Sequence, residues 1–574
     1  MSSKVFQLES VKNTIHKNGF DLSQSRMFST APGIINVSYC KEVIPGDKFR
    51  INVENLTRTQ TLNTAAYARA KEFWNFHFVP FRLLWRYFPD FIVQNSHSDS
   101  ATSVANSSVP TQCPRFDLRD LTDEFNHIIN EDYEHSSTID ELGFNYINGA
   151  TKLLQQLGYG YVDGASRYYD VTYVSPFRLL AYQKVYQDFY RNTQWESYDS
   201  TSFNVDYLNA TGSSSQTNVL APFFDADSES NNRSIFQRRY ANFKKDYFMG
   251  LRPSTQFGDV SVVSVTTDNG TLSGGGNKAV ALGADGKLSV QGATSSDPRI
   301  PVELKGQFDI LSLRKAEAIQ RLREIQQAND FRYNAQINAR FGFKIPDSRA
   351  QMAEFIGGHS NTLQITDVDS NATTGNVDNP DYENYSKLGQ IGGKGIISST
   401  PNEIDYEVKE NGIIIGTYYI LPIVNYPAVG IDKENLHLEF EDFYQPEFQN
   451  IGLSTVNLAE LTSYYLGEQT PVPIDTPLGY APRYLEYKTE IDKVYDEFMA
   501  GQSLSAWNVS IPSERLTDFT NAKIDYRWMK VPPNSMDAIF SVAYDGTEAT
   551  NNFLVNAYIT VKAIRPMSVD GMPF

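Results

Sequence analysis

Two cysteines in 574 residues, Cys40 and Cys113, cannot build a disulfide framework for so long a chain. The first residues, Met1 to Glu9, lack the apolar core of a signal peptide, so synthesis in a reducing cytoplasm is expected. The 7 histidines are scattered, with no HExxH pair and no Cys/His cluster of zinc-site spacing. No repeat of fixed period is present, which excludes solenoids and propellers. Net positive charge is absent as well. At −18 the chain repels nucleic acid and anionic membranes in general, although a local basic patch remains compatible with that total. The one long apolar stretch, Gly412 to Gly430, is interrupted by Asn425 and two prolines and is barely long enough to cross hydrocarbon. Buried strands joined at Pro422 and Pro427 account for it better, and a soluble chain is expected.

Aromatic residues are plentiful: 34 Tyr and 35 Phe bring the aromatic share to 13%. With β-branched residues they suit pleated, half-buried surfaces, and Tyr also suits interfaces. Short strand-like runs are separated by Gly, Asn, Asp and Pro, as in a β-sandwich. Between Ala66 and Val79, the residues Ala66, Ala68, Ala70, Trp74, Phe76 and Phe78 fall on one face. Asn552 to Arg565 reads as a long strand near the C-terminus, able to close a sheet with the last segment of the chain. Three helices are predicted. The first has Phe81, Leu84, Trp85 and Phe88 at helical spacing and is stopped by Pro89. The second repeats that spacing at Leu121, Phe125, Ile128 and Ile129. The longest runs from Asp309 to Gln327 with Leu311, Ala318, Leu322 and Ile325 on one stripe.

Three polar segments read as insertions into one elaborated domain: 200–232, 259–298 and 361–395. The second carries two hairpin signals, Asp268-Asn269-Gly270 and Asp285-Gly286, and is expected to protrude outward, with 200–232 the alternative.

The search for chemistry finds nothing specific. His437, Glu439 and Glu441 alternate and would share one strand face, opposite Leu436, Leu438 and Phe440. The solvated face of a half-exposed strand explains this better than a metal site. Asp367-Val-Asp-Ser-Asn-Ala begins like an EF-hand loop but has Ala372 where the turn needs Gly and Asp378 where Glu should close it. Gly274-Gly-Gly-Asn-Lys278 lacks the phosphate-loop spacing, and no GxSxG elbow exists. No catalytic, cofactor or metal residue is assigned, and no enzymatic activity is expected.

One local charge excess stands out. Arg233, Arg238, Arg239, Lys244, Lys245 and Arg252 face a single acid, Asp246, with Tyr240, Phe243, Tyr247 and Phe248 interleaved. Phosphate binding needs such an excess, and unpaired bases stack on aromatic faces, so these six cations are the candidate DNA-facing set. The competing explanation is ion pairing with acidic neighbours across a subunit interface.

Several strings, read in order, carry a family resemblance. They begin with Phe20-Asp-Leu-Ser23, Glu42-Val-Ile-Pro-Gly-Asp-Lys-Phe49 and Phe76-His-Phe-Val-Pro-Phe-Arg-Leu-Leu-Trp85. Pro176-Phe-Arg-Leu-Leu-Ala-Tyr-Gln-Lys184, Asp246-Tyr-Phe248, Arg332-Tyr333 and Phe341-Gly-Phe343 follow. Next come Pro346-Asp-Ser-Arg349, Ile356-Gly-Gly358, Asp442-Phe-Tyr-Gln-Pro446 and Gly479-Tyr-Ala-Pro-Arg-Tyr-Leu-Glu-Tyr487. Ala563-Ile-Arg-Pro-Met567 closes the series. Each string is weak alone, but their order over nearly the whole chain resembles the microvirus major capsid proteins, most closely the gokushovirus-like branch. The Gly-rich step expected before Arg332 reads Ala328-Asn-Asp-Phe331, and the tail stops at Phe574, which points to a divergent member.

The resemblance implies an all-β, eight-stranded antiparallel jelly roll with large loop and helical insertions. It also implies assembly of many copies into a small icosahedral virion shell around a circular single-stranded DNA genome in the bacterial cytoplasm. The implied partners are a small basic DNA-binding protein, a scaffolding protein, a pilot protein and a host surface receptor. A threefold protrusion for host contact is implied for one insertion. A secreted carbohydrate-active β-sandwich, glycosidase or lectin, is the alternative. A phage tail or spike protein would show fibre repeats or a coiled coil, and neither is seen.

Overall fold

The computed structural model describes residues 16–62, 66–93, 113–130, 140–163, 172–207, 233–258, 266–267, 280–282, 288–290, 306–307, 310–369, 391–398, 403–462, 476–499, 501–511, 526–540 and 550–569. Two antiparallel sheets form its centre.

The first sheet is built around the C-terminal strand. Strand β13 (Phe553–Arg565) pairs along its whole length with β4 (Lys48–Thr59), from Phe553↔Thr59 to Ile564↔Lys48. Its other edge takes two N-terminal strands, β1 (Asn18–Asp21) and β2 (Gln24–Thr30). The far edge of β4 is taken by β8 (Ile391–Ser398) and β9 (Ile404–Glu407), and β7 (Gln364–Asp369) lies beyond β8. Phe553, Val555, Ala557, Ile559, Val561 and Ala563 are buried, while Leu554, Tyr558 and Ile564 between them are exposed. The strand predicted at Asn552 to Arg565 is therefore present, one residue shorter at its start.

The second sheet has the order β6 (Glu354–Thr362), β5 (Arg69–Pro80), β10 (Gly412–Ile423), β3 (Asn36–Val43). It faces the first across a shared core. Trp74, Phe76, Phe78, Ile414 and Tyr418 meet Phe49, Ile51, Val53, Ile559 and Val561. Each fully buried aliphatic or aromatic side chain contributes roughly 1.5–3 kcal/mol before entropy is counted. The predicted face of β5 and the approach to it is buried from Ala66 to Phe78. Glu72 lies on that face too. Its carboxylate accepts hydrogen bonds from Asn55 Nδ2 (2.8 Å), Thr57 Oγ1 (2.8 Å), Tyr418 OH (3.1 Å) and Asn361 Nδ2 (2.9 Å), as a buried charge requires.

The opposite face of the second sheet is covered by helices. These are α1 (Leu118–Asn130), α2 (Tyr146–Leu157) and α3 (Phe177–Val185). Phe125, Leu153, Leu154, Leu179 and Leu180 share a core with Val37, Val79, Ile413 and Ile415. The N-cap Asn145 accepts from the Asn148 amide at 3.0 Å, and Gly158 ends α2 in the left-handed conformation. Strand β10 is thus buried on both sides, which explains its continuous apolar run.

That run does not break at Pro422. Strand β10 continues through Pro422 to Ile423, beyond the last pair with β3, Tyr418↔Asn36. The Ile420 carbonyl points to the β3 side, where it accepts from Gly33 N–H. The Pro422 nitrogen, two residues on, faces the same side past the end of the ladder, so its missing N–H costs no sheet bond.

Pro89 likewise does not stop a helix. A single turn, Phe81–Leu84, ends first, and Pro89 sits in the first turn of a second helix, Phe88–Val93, where no N–H is needed. The polar segment 361–395 extends the first sheet, since β7 and β8 pair as an antiparallel ladder; residues 370–390 lie outside the described ones. A hairpin of β11 (Leu453–Asn457) and β12 (Pro477–Pro482) belongs to a further core cluster.

Residues Ser254–Asp330 form a separate compact unit. Val280–Leu282 pairs with Leu288–Val290, while Asp285-Gly286 itself lies outside the described residues. Thr266–Thr267 pairs instead with Gly306–Gln307, not across Asp268-Asn269-Gly270, which lies outside the described residues. Helix α4 (Ile310–Ala328) occupies the predicted long-helix position, but Leu311 and Leu322 of its stripe are exposed. Of segment 200–232, residues 208–232 lie outside the described ones.

Candidate assembly and nucleic-acid surfaces

The basic segment 233–252 folds mostly inward. Arg238 and Arg239 are only 6% and 4% exposed. The Arg238 guanidinium donates to Asn36 Oδ1 at 2.5 Å, and burial pulls its pKa down. Arg239 lies 4.7 Å over the Tyr186 ring and donates to Gln183 Oε1 (2.7 Å), Gln237 Oε1 (3.2 Å) and the Ser234 carbonyl (3.1 Å). A guanidinium with this many fixed acceptors is an internal cross-link. The interleaved rings are internal too: Tyr240, Phe243, Tyr247 and Phe248 are buried, and the Tyr240 hydroxyl donates to Asp140. The expectation that these rings offer stacking faces is corrected, because apolar neighbours from the hairpin side claim Phe243, Tyr247 and Phe248, and Ala31 and Ile34 claim Tyr240.

Lys244 and Lys245 are exposed; Arg252 is half-buried, and its backbone pairs with Tyr480. The Arg233 side chain lies outside the described residues. Sequence reasoning could not sort these cations, because a charge count does not say which ones find internal acceptors.

Close by is another internal charge network. Lys530, fully buried, donates to Glu141 Oε1 at 2.6 Å and lies 3.7 Å from Glu196, which in turn accepts from Tyr186 OH at 2.8–2.9 Å. These carboxylates line a cleft of about 560 Å³ with Asp140, Asp199 and Arg239. Among the described residues no group of three or more His, Cys, Asp or Glu could hold a metal ion.

The expected strand at His437–Glu441 is absent; Glu439 and Glu441 are exposed as expected, but the His437 side chain is buried while Leu438 and Phe440 are exposed. The His437 side chain is 4% exposed, packed between Phe443 and Tyr487 with Nε2 3.7 Å from Glu486. Leu438 and Phe440 project at 84% and 70% exposure. The chain here is an irregular loop folded on itself. The Asp442 carboxylate accepts from the Leu438 and Glu439 amides at 2.9 and 2.8 Å, which holds its pKa below the ordinary value. The buried Tyr484, at φ +60°, donates to the Glu441 and Phe443 carbonyls at 3.2 and 3.1 Å. Apolar side chains are therefore presented by a fixed backbone.

A second exposed apolar surface follows residue 330. Helix α5 (Tyr333–Phe341) buries none of its residues, and Tyr333, Phe341 and Phe343 are exposed. Both surfaces coincide with strings quoted for the resemblance, Arg332-Tyr333, Phe341-Gly-Phe343 and Asp442-Phe-Tyr444, whose aromatic content was the only sequence signal for them.

Other strings meet one another inside the protein. Asp47, from the Pro45-Gly-Asp47 turn, is fully buried against Arg565 near the C-terminus, with Oδ2 2.9 Å from the guanidinium. Lys184 and Asp188 form a buried pair at 3.0 Å; Lys184 also donates to the Gln351 carbonyl and Asp188 accepts from the Ala353 amide.

Residues 9–131 and 167–574 match the family described as capsid protein (F protein). Capsid protein VP1 of Chlamydia phage 1 is 22% identical over 98% of this chain and 96% of its own length. Capsid protein VP1 of Spiroplasma virus 4 is 22% identical over 70% of this chain and 73% of its own. For capsid protein VP1 of Bdellovibrio phage phiMH2K the figures are 24%, 56% and 57%.

Proposed function

The chain belongs to the capsid protein (F protein) family and is a structural major capsid protein of the microvirus kind, and we propose that its copies close into a small icosahedral shell around a circular single-stranded DNA genome. The observation that carries this reading is the family match over nearly all of the chain, which takes in both sheets and both exposed apolar surfaces.

We read the two sheets as an eight-stranded jelly roll, β2–β13–β4–β9 facing β6–β5–β10–β3. In support, the chain changes sheet at each step from β2 to β5, again from β6 to β9 to β10, and finally from β10 to β13. Two packed sheets leave few free edges and put the connecting loops where neighbours can meet them. The separate unit 254–330 is then an insertion into one elaborated domain, with its 259–298 part the outward protrusion toward a host receptor.

Of the six candidate cations, we assign phosphate contact in the shell interior to Lys244 and Lys245, with Arg252; the exposure of the two lysines supports this. Arg238 and Arg239 act as internal braces. A chain of −18 leaves much of the genome's charge to a separate small basic protein. Scaffolding and pilot proteins complete the proposed partner set, and assembly takes place in the host cytoplasm.

Electron microscopy of the chain expressed with its phage partners tests the shell. Closed particles of uniform diameter are expected. A persistent monomer that binds or cleaves glycans would establish the carbohydrate-active alternative instead.

A further inference from the structure

A nine-residue helix is marginal in water and normally persists in a protein because one face is packed. Helix α5 has no buried residue, yet it is ended by a left-handed Gly342 whose amide donates to the Asn338 carbonyl at 2.9 Å. Beyond the cap, Phe343 is 72% exposed. The arm 331–349 carries Arg332, Arg340, Lys344 and Arg349 against one acid, Asp347. Tyr333, Phe341 and Phe343 are exposed among these cations, so the arm presents a basic, aromatic surface.

The loop 432–451 has the opposite charge. It contains six carboxylates and one lysine, Lys433, around the exposed Leu438, Phe440, Phe443 and Ile451. Its backbone is fixed by Asp442 and Tyr484, so little ordering entropy is lost when a partner covers it. Arm and loop lie in the same compact unit.

We propose that the basic aromatic arm 331–349 of one copy docks on the acidic apolar loop 432–451 of a neighbouring copy. This rests on the capsid reading, in which every copy must present complementary patches that repeat around a closed shell. The arm and loop are complementary in charge, and each offers exposed apolar groups of the kind that form interface centres, with charges at the rim. DNA is a poorer occupant. It could meet the arm but not the acidic loop, whose exposed Leu438 and Phe440 would stay uncovered.

The test is charge reversal in the full chain within phage-producing cells. R340E/K344E subunits are expected to stay soluble and melt cooperatively while shell yield drops at least tenfold. Adding E439K/E441K to the same chain is expected to restore shells, and E439K/E441K alone is expected to fail as the arm variant does. Normal shell yield from R340E/K344E would overturn the proposal. Normal shells holding less DNA would overturn it in favour of nucleic acid, and a loss that the loop reversal does not rescue would overturn the pairing. Should R340E/K344E misfold, the neutral R340Q/K344Q is read the same way with a smaller drop. Wild-type chain failing to form shells in the same cells would instead sink the capsid reading beneath it.

Discussion

The two sheets solve different problems with the same strand geometry. In the first, β13 and β4 alternate strictly, one face in the core and one in solvent. In the second, β10 is buried on both faces, against the first sheet on one side and α1–α3 on the other. Strands β13 and β4 can therefore accept polar change at every other residue, whereas β10 can accept almost none. The wet sheet carries the chain ends and the paired charges of closure; the dry one carries packing and desolvated polar groups such as His77.

The comparison breaks outright if β13 is removed. Deleting Asn552 to Phe574 takes out the strand between β2 and β4, strips the first sheet of its centre and opens the core beneath it. Loss of soluble, cooperatively melting protein is expected, and a truncated chain that melts normally would refute this topology.

Next in size is Arg565→Ala, which leaves Asp47 buried without its cation. Unpairing a buried charge costs about 3–5 kcal/mol, measurable as a lower denaturant midpoint. Replacing both partners with apolar residues should recover much of that loss, because no uncompensated charge remains.

A matched pair of truncations sharpens the contrast between sheets. Ile414→Ala, in the dry sheet, should cost about 2–5 kcal/mol through lost burial and the cavity it leaves. Leu554→Ala, outward on β13, should stay within about 0.5 kcal/mol in unassembled subunits. Equal costs would mean that the outer face of the first sheet is covered in the subunit.

The subtlest difference concerns pH. His77, on the helix side of β5 among Phe189, Tyr190 and Phe355, is pushed down to about 3 by burial. Its folded pKa is lower than its unfolded one, so its contribution is fully present above the ordinary value of 6.5. The contribution is lost as pH falls from there toward 3, since the unfolded chain takes up a proton that the folded one refuses. The slope is at most about 1.4 kcal/mol per pH unit. Denaturant melts of wild type and His77→Leu at pH 7, 6 and 5 should show a stability difference that shifts toward the variant with acid. A difference independent of pH would mean that His77 takes up its proton equally in the folded and unfolded chain, and a shift in the opposite direction that the fold holds it protonated.

The central strand of the wet sheet was legible beforehand, whereas β7 and β8 lie in a segment that reads as a polar insertion. Asn552 to Arg565 of the wet sheet was read as a long strand, and in the dry sheet the face from Ala66 to Phe78 was placed by alternation. Strand β10 of the dry sheet was legible only as an apolar run, and where it ended was misjudged, because Pro422 lies past the end of the ladder with β3. The candidate surfaces fared worst. His437 and Leu438 exchanged their expected environments because the loop that holds them is fixed by Tyr484, 46 residues beyond Leu438.

The sequence by itself determined the class: a cysteine-poor, aromatic-rich β protein whose ordered strings carry the capsid family. Only the tertiary structure decided which charges are braces and which are surface. Burying a cation depends on acceptors brought from elsewhere in the chain, Asn36 for Arg238 across 202 positions and Asp47 for Arg565 across 518. Strand period is a local property of neighbouring residues, whereas desolvation of a charge is set by what the fold places against it.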